Sequence, residues 1–194
     1  MPNKVIIIHG WDGFPEEGWF PWLKNELESR GHEVIVPVMP NANEPRINKW
    51  IPAITEAVGQ TDENTYFVGH SIGVQAIARF LQGLPEETQI GGAVFVAGYF
   101  KHLTNIEDDP IEKSVVKEWL ETPTDLNAVK EHMKQSVAIF SESDPFVPLD
   151  NQYDFKDKLG SEIIILQGPG HFSGPSDNCM ELPEVLDSLL RIMD

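Results

Sequence analysis

The sequence predicts an α/β fold in which a mainly parallel, six-stranded sheet carries helices on both faces. Short β-branched runs alternate along the chain with segments whose apolar residues recur at helical spacing. Such alternation is typical of parallel sheets built from strand–helix–strand units. The 194 residues and the hydrophobic content of 41% suffice for a substantial core. We therefore expect a single domain over residues 1–194.

Each predicted strand is short, apolar and bounded by turn residues. The first, Val5–His9, ends at Gly10 and is typical of a buried parallel strand. The other predicted strands are, in chain order, Glu33–Val38, Thr65–Val68, Ala93–Ala97, Val137–Ser141 and Glu162–Gln167. Open parallel sheets place their functional sites at the carboxyl edge of the strands, so we expect the site there.

The segments between the strands have helical periodicity. Trp19–Arg30 presents apolar residues on one face and ends at Gly31. Further helices are predicted over Ile47–Val58, Val74–Leu81 and Leu182–Met193. A longer insertion, residues 98–135, contains two short helix patterns near Glu112–Glu121 and Asp125–Lys134. It is either a small cap over a site or a surface excursion, and long insertions with their own structure favour the cap.

Composition narrows the classes of function. The chain has 14 basic and 31 acidic residues, a net charge of −17, which disfavours binding to nucleic acid or to anionic membranes. No apolar run approaches the roughly 18 residues of a transmembrane helix. The single cysteine, Cys179, excludes an internal disulfide and argues against a zinc site. No signal peptide is apparent at the amino end, so we expect a cytoplasmic protein.

The strongest motif is the pentapeptide Gly69–Gly73, which reads Gly-His-Ser-Ile-Gly between a predicted strand and a predicted helix. In this context the pattern predicts a nucleophile elbow, where a serine stands on a sharp, strained turn. Ser71 is then the nucleophile. Gly69 and Gly73, two residues before and after it, have no side chains that would collide within the turn. The N–H of Ile72, at the start of the helix, is placed to stabilise an oxyanion. The alternative is an ordinary glycine-bounded turn.

A nucleophilic serine requires a base and an acid that orients the base. His171 lies in the loop Gly168–Phe172 after the last strand, at the expected edge, and is the predicted base. Asp144 follows the fifth strand between rigidifying prolines and is the best acid, with Glu142 and Asp150 as rivals. The chain order Ser, Asp, His is that of the α/β-hydrolases.

The other histidines are predicted to have supporting or surface positions. His9 should brace the loops by hydrogen bonding, and the side chain of His70 should leave the elbow in another direction. His32, His102 and His132 are predicted to be solvated.

The loop after the first strand should supply the second oxyanion donor. Gly10 permits close backbone approach there, and the next residue, Trp11, offers its N–H. A glycine-rich turn without a catalytic part is the alternative. Trp11, Phe14 and Tyr99 are candidate pocket residues, although core packing is an equally ordinary place for such aromatic side chains.

The sequence resembles the small α/β-hydrolase (serine hydrolase) family that includes YdeN and retinoblastoma-binding protein nine. The motifs that carry the resemblance are Ile7–Gly10, Trp19–Lys24, Met39–Asn41, Pro45–Trp50, Val68–Gly73, Asp144–Pro148 and Gly170–Phe172. The resemblance implies a compact α/β-hydrolase fold with strand order 2-1-3-4-5-6 and a triad of Ser71, Asp144 and His171. Ser143 departs from the family pattern, in which a second Asp is frequent, and this leaves Asp144 less ambiguous.

These observations favour a serine hydrolase that cleaves small ester or amide substrates through an acyl-enzyme and needs no cofactor or metal. Carboxylesterase, amidase and aminopeptidase activities all fit that chemistry. The alternative class is a hydrolase-fold protein that acts mainly by binding a protein partner. An intact nucleophile, base and acid argue against the alternative.

Overall fold

A six-stranded parallel sheet forms the centre of the chain. In the computed structural model, which describes residues 2–168 and 170–194, the strands are β1 (Lys4–Ile8), β2 (Glu33–Ile35), β3 (Thr65–His70), β4 (Ile90–Val96), β5 (Met133–Ser141) and β6 (Glu162–Leu166). They lie in the order β2-β1-β3-β4-β5-β6, and every neighbouring pair is parallel. The strand order implied by the resemblance is confirmed.

Within the described residues, six helices flank the sheet: α1 (Phe20–Ser29), α2 (Ile47–Val58), α3 (Ile72–Leu81), α4 (Pro110–Glu121), α5 (Leu126–Glu131) and α6 (Pro183–Met193). Shorter helical turns span Leu149–Asn151, Asp154–Leu159 and Pro175–Asp177. Over the described residues, none of the helices has the length and apolar character needed to cross a membrane.

The sheet buries a separate hydrophobic cluster on each face. Alternate residues of β1 divide between the clusters, because successive side chains of a strand point to opposite faces. Ile6 and Ile8 pack with α2, α3 and the insertion, whereas Val5 and Ile7 pack with α1 and α6. Both sheet faces are therefore covered by helices, as the alternating sequence pattern predicts.

Some predicted boundaries are wrong, because the ends of strands and helices depend on pairing with distant segments. Strand β2 ends at Ile35 instead of Val38, because it pairs only with β1, through three residues. Helix α5 ends at Glu131, since Met133 already pairs with Ile90 in the sheet. The helical turn over Asp154–Leu159 was not predicted from the sequence.

The insertion between β4 and β5 is fastened to the rest of the molecule. The indole N–H of Trp119 on α4 donates to the carbonyl oxygen of Pro45 at 2.9 Å. Arg46 and Glu118 form an ion pair at 2.9 Å. Arg79, buried on α3, donates to the carbonyl oxygen of Trp119 at 2.8 Å. These contacts hold the carboxyl end of α4 against α3 and against the residues that precede α2.

Candidate active site

Ser71 occupies a strained turn between β3 and α3. Its backbone angles, φ 54° and ψ −124°, lie in a region that non-glycine residues rarely adopt. The N–H of Ser71 donates to the carbonyl oxygen of Val96 at 2.9 Å, which ties the turn to the end of β4. The turn carries the hydroxyl clear of the carboxyl end of the sheet.

Two glycines make this turn sterically feasible. A Cβ atom added to Gly69 would lie 2.8 Å from Ile77 Cδ1 and 3.0 Å from the backbone of Val74. One added to Gly73 would lie 2.5 Å from the carbonyl oxygen of Ile8 and 2.6 Å from that of His9. Real Cβ atoms do not approach backbone so closely, so the glycines let α3 pack against the end of β1.

A serine, a histidine and an aspartate form a continuous hydrogen-bonded chain. His171 Nε2 lies 2.9 Å from Ser71 Oγ, and His171 Nδ1 lies 2.8 Å from Asp144 Oδ2. The second oxygen of Asp144 accepts the N–H groups of Phe146 and Val147 at 2.8 and 3.0 Å. The carboxylate is only 2% exposed, so the loop holds it in one orientation. The arrangement can pass a proton from serine to histidine while the carboxylate stabilises the imidazolium.

The two rival carboxylates do not reach this chain of groups. Glu142 is exposed. Asp150 faces His102, with 3.6 Å between Asp150 Oδ1 and His102 Nε2. Of the three candidate acids named from the sequence, Asp144 is the one that contacts the imidazole of His171.

The loop that carries His171 contains an acidic residue that sequence reasoning missed. Asp177 Oδ2 accepts the N–H groups of His171 and Ser173 at 2.9 and 2.8 Å. An aspartate a few residues after a loop histidine, able to bond backbone N–H groups, is the signal that could have revealed it. Pro169, which the sequence places in this loop, lies outside the described residues.

The two predicted oxyanion donors, Ile72 and Trp11, line the same cavity as Ser71. Across the part of the chain that the structure describes, neither N–H donates to a protein acceptor. Gly10 provides the close approach expected of it, because an added Cβ would lie 3.3 Å from Ser71 Cβ. The adjacent side chain of Asp12 is exposed.

His9 braces this loop. The N–H of Met39 donates to His9 Nε2 at 3.2 Å, so the proton lies on Nδ1, which contacts the carbonyl oxygen of Gly10 at 2.9 Å. Burial lowers the pKa of His9, which favours this neutral form. The predicted bracing role is confirmed.

The remaining histidines lie away from the site, with the exception of His70. His102 is exposed and His32 is half-buried. His132 is buried, and its Nδ1 forms a hydrogen bond with the carbonyl oxygen of Thr88 at 2.6 Å. The prediction that His132 is solvated is therefore wrong.

A cavity of about 520 Å³ opens beside Ser71 and His171. Trp11 and Tyr99 line it as predicted, but Phe14 does not. The side chain of Phe14 is 51% exposed, so that pocket prediction is corrected. The acidic side chains in the lining are Asp12, Glu17, Glu107, Asp109 and Glu112, and its apolar side chains include Leu103, Ile106, Ile111 and Phe146.

Comparison with known proteins identifies the family of this chain. The sequence matches the serine hydrolase family over residues 5–190. It is 32% identical to YdeN of Bacillus subtilis (strain 168) over 97% of this chain and 95% of that protein. It is 26% identical to the serine hydrolase RBBP9 of Rattus norvegicus over 97% of this chain and 96% of that protein.

The crystal structure of the Bacillus subtilis ydeN gene product superimposes with a TM-score of 0.88 at 30% identity, and 98% of each chain is covered. The resemblance found in the sequence motifs is therefore confirmed at the level of the whole fold. The protein therefore belongs to the serine hydrolase family.

Proposed function

We propose that the protein hydrolyses small ester or amide substrates through an acyl-enzyme formed on Ser71. The observation that carries the proposal is the chain of hydrogen bonds from Ser71 Oγ through His171 to Asp144, at 2.9 and 2.8 Å. Ser71 attacks the substrate carbonyl carbon while His171 Nε2 takes the hydroxyl proton. His171 then returns that proton to the leaving alcohol or amine, and the acyl group stays on Ser71.

Water completes the cycle. His171 removes a proton from a water molecule, the water oxygen attacks the acyl carbonyl, and the acid leaves as Ser71 recovers its proton. In both steps negative charge develops on the carbonyl oxygen. The N–H groups of Ile72 and Trp11, which have no other described acceptor, are proposed to stabilise it.

The cavity supports small substrates that are neutral or cationic. Five carboxylate residues line it, and the described lining contains no lysine or arginine. Such a wall repels anions and attracts cations. Glu17, half-buried and within the field of His171, has a pKa raised by burial.

We propose that residues 98–135 act as a small cap over the serine. Leu103, Ile106 and Ile111 lie on the cavity side of this insertion. The contacts of Trp119 and Arg79 fix the other end of the insertion. The cap closes over a cavity of about 520 Å³, which suits a short acyl group better than a long chain.

Substitution of Ser71 tests the mechanism. Loss of the nucleophile in such a triad lowers kcat by roughly 10⁴–10⁶-fold, so Ser71→Ala should be inactive on short acyl esters and aminoacyl amides. His171→Ala should lose a similar factor, and Asp144→Asn somewhat less. Circular dichroism should show a retained fold. A folded Ser71→Ala protein that keeps most of its activity would refute the proposal. In the unmodified protein, the ratio of ester turnover to amide turnover would define the substrate class.

A further inference from the structure

The backbone of His171 is held on both sides by side chains outside the proposed triad. On one side its N–H donates to the carboxylate of Asp177 at 2.9 Å. On the other side its carbonyl oxygen lies 2.7 Å from His70 Nε2. The next residue, Phe172, has φ 59°, an unfavourable value for a non-glycine residue. A strained loop keeps its shape only where surrounding contacts fix it.

The chemical state of His70 follows from its partner. A carbonyl oxygen only accepts, so His70 donates from Nε2, and in the neutral ring Nδ1 then carries no proton. Burial lowers the pKa of His70 to about 3, so the ring stays neutral at ordinary pH. Edge contacts with Trp19 and Phe20, at ring-centroid distances of 6.2 and 6.1 Å, fix the ring plane.

His70 directly precedes Ser71 in the chain. A movement of the elbow therefore also moves His70 Nε2, which donates to the carbonyl oxygen of His171. The side chain of His70 thus links the nucleophile to the base. Asp177 supplies the opposing contact through two N–H groups, of His171 and Ser173. A Cβ added to Gly170 would collide with Asp177 Oδ1, so the loop packs tightly against this carboxylate.

We propose that His70 and Asp177 are positioning residues that hold the backbone of His171 so that its Nε2 stays within hydrogen-bonding distance of Ser71. This inference rests on the proposed function of the site. Neither residue exchanges a proton with substrate. A displacement of a reacting group by about 1 Å costs on the order of 100-fold in rate, so loss of either contact should lower kcat by about 10–100-fold.

The test compares variants that remove or keep each hydrogen bond. His70→Phe keeps an aromatic ring but removes the donor, and His70→Gln keeps an N–H donor. Asp177→Ala removes the acceptor, and Asp177→Asn keeps one. The control is His132→Phe, because His132 is equally buried and bonds the Thr88 carbonyl at the opposite edge of the sheet.

The measurements are kcat, KM, melting temperature and the rate at which a fluorophosphonate labels Ser71. We expect kcat and the labelling rate to fall together in His70→Phe and Asp177→Ala, with KM changed far less. His70→Gln and Asp177→Asn should recover most of the loss. His132→Phe should lose stability but keep its kcat and labelling rate. If His70→Phe does not fold, the Asp177 pair decides the outcome.

Two results would overturn the inference while leaving the proposed function intact. One is a His70→Phe or Asp177→Ala protein whose kcat equals that of His132→Phe, while Ser71→Ala is inactive. The other is a failure of the Gln and Asn variants to exceed the Phe and Ala variants, which would make the hydrogen bonds irrelevant. Hydrolysis retained by Ser71→Ala would instead remove the proposed function and the inference with it.

Discussion

Ser71→Gly should produce a more stable protein than Ser71→Ala, although both lack the hydroxyl. The backbone at this position has φ 54° and ψ −124°, a conformation that glycine adopts without a Cβ clash. Alanine keeps the Cβ and therefore keeps the strain. The pair separates the energetic cost of the turn from the chemistry of the serine.

The size of the difference follows from two opposing terms. Residues held in such backbone regions cost on the order of 1–3 kcal/mol. Relative to alanine, glycine lowers the free energy of unfolding by roughly 0.4–1 kcal/mol, because it gives the unfolded chain more conformational freedom. The net gain for glycine is about 1 kcal/mol, which raises the melting temperature of a protein of this length by roughly 2–4 °C.

Thermal and urea unfolding of the two variants measures this difference directly. A control pair, Ser136→Gly and Ser136→Ala, lies in strand β5, where φ is not positive, so glycine should be the less stable member there. A Ser71→Gly protein no more stable than Ser71→Ala would refute the claim that the elbow is strained. Equal hydrolytic loss in both Ser71 variants is expected.

Three further measurements concern charge and pH. First, kcat/KM should rise with pH, because the mechanism requires a neutral imidazole that can accept the proton of Ser71; a flat profile from about pH 5 to 8 would contradict a histidine base. Second, the pKa of His70 is lowered from 6.5 to about 3 in the folded protein, so only the unfolded chain gains this proton between those values. Unfolding free energy should therefore fall as pH falls below 6.5, by up to roughly 1.4 kcal/mol per pH unit, and His70→Gln should lessen this slope; an unchanged slope would contradict it. Third, among matched esters, salt should lower kcat/KM for the cationic one and raise it for the anionic one. Identical salt responses would show that the acidic lining does not select the substrate.

The alternation of strands and helices made the sheet predictable from sequence. Local sequence was sufficient to predict a structure where the residues of one segment determine its conformation by themselves, as in the Gly69–Gly73 turn. Strand β2 was predicted too long because its length depends on pairing with β1, which local sequence does not contain.

The site residues divide in the same way. Ser71, Asp144 and His171 could be proposed because each follows a strand and all these strands end at one edge. Phe14 was assigned to the pocket by residue type alone, and the loop turns it to solvent. Asp177 was missed because an aspartate shortly after a loop histidine is only a weak signal, and its contacts form only when the loop folds back over it. The cytoplasmic location stays a prediction.

Identification of the residue modified by a fluorophosphonate tests the central claim most directly. The reagent requires a nucleophile activated by a neighbouring base, so peptide mass spectrometry should find the phosphonyl group on Ser71. Labelling should be rapid in the native protein, block ester hydrolysis in proportion, and be slow in His171→Ala. Ester hydrolysis that continues while Ser71 stays unmodified, or Ser71 labelling that is indifferent to His171, would contradict a mechanism that runs through these two residues.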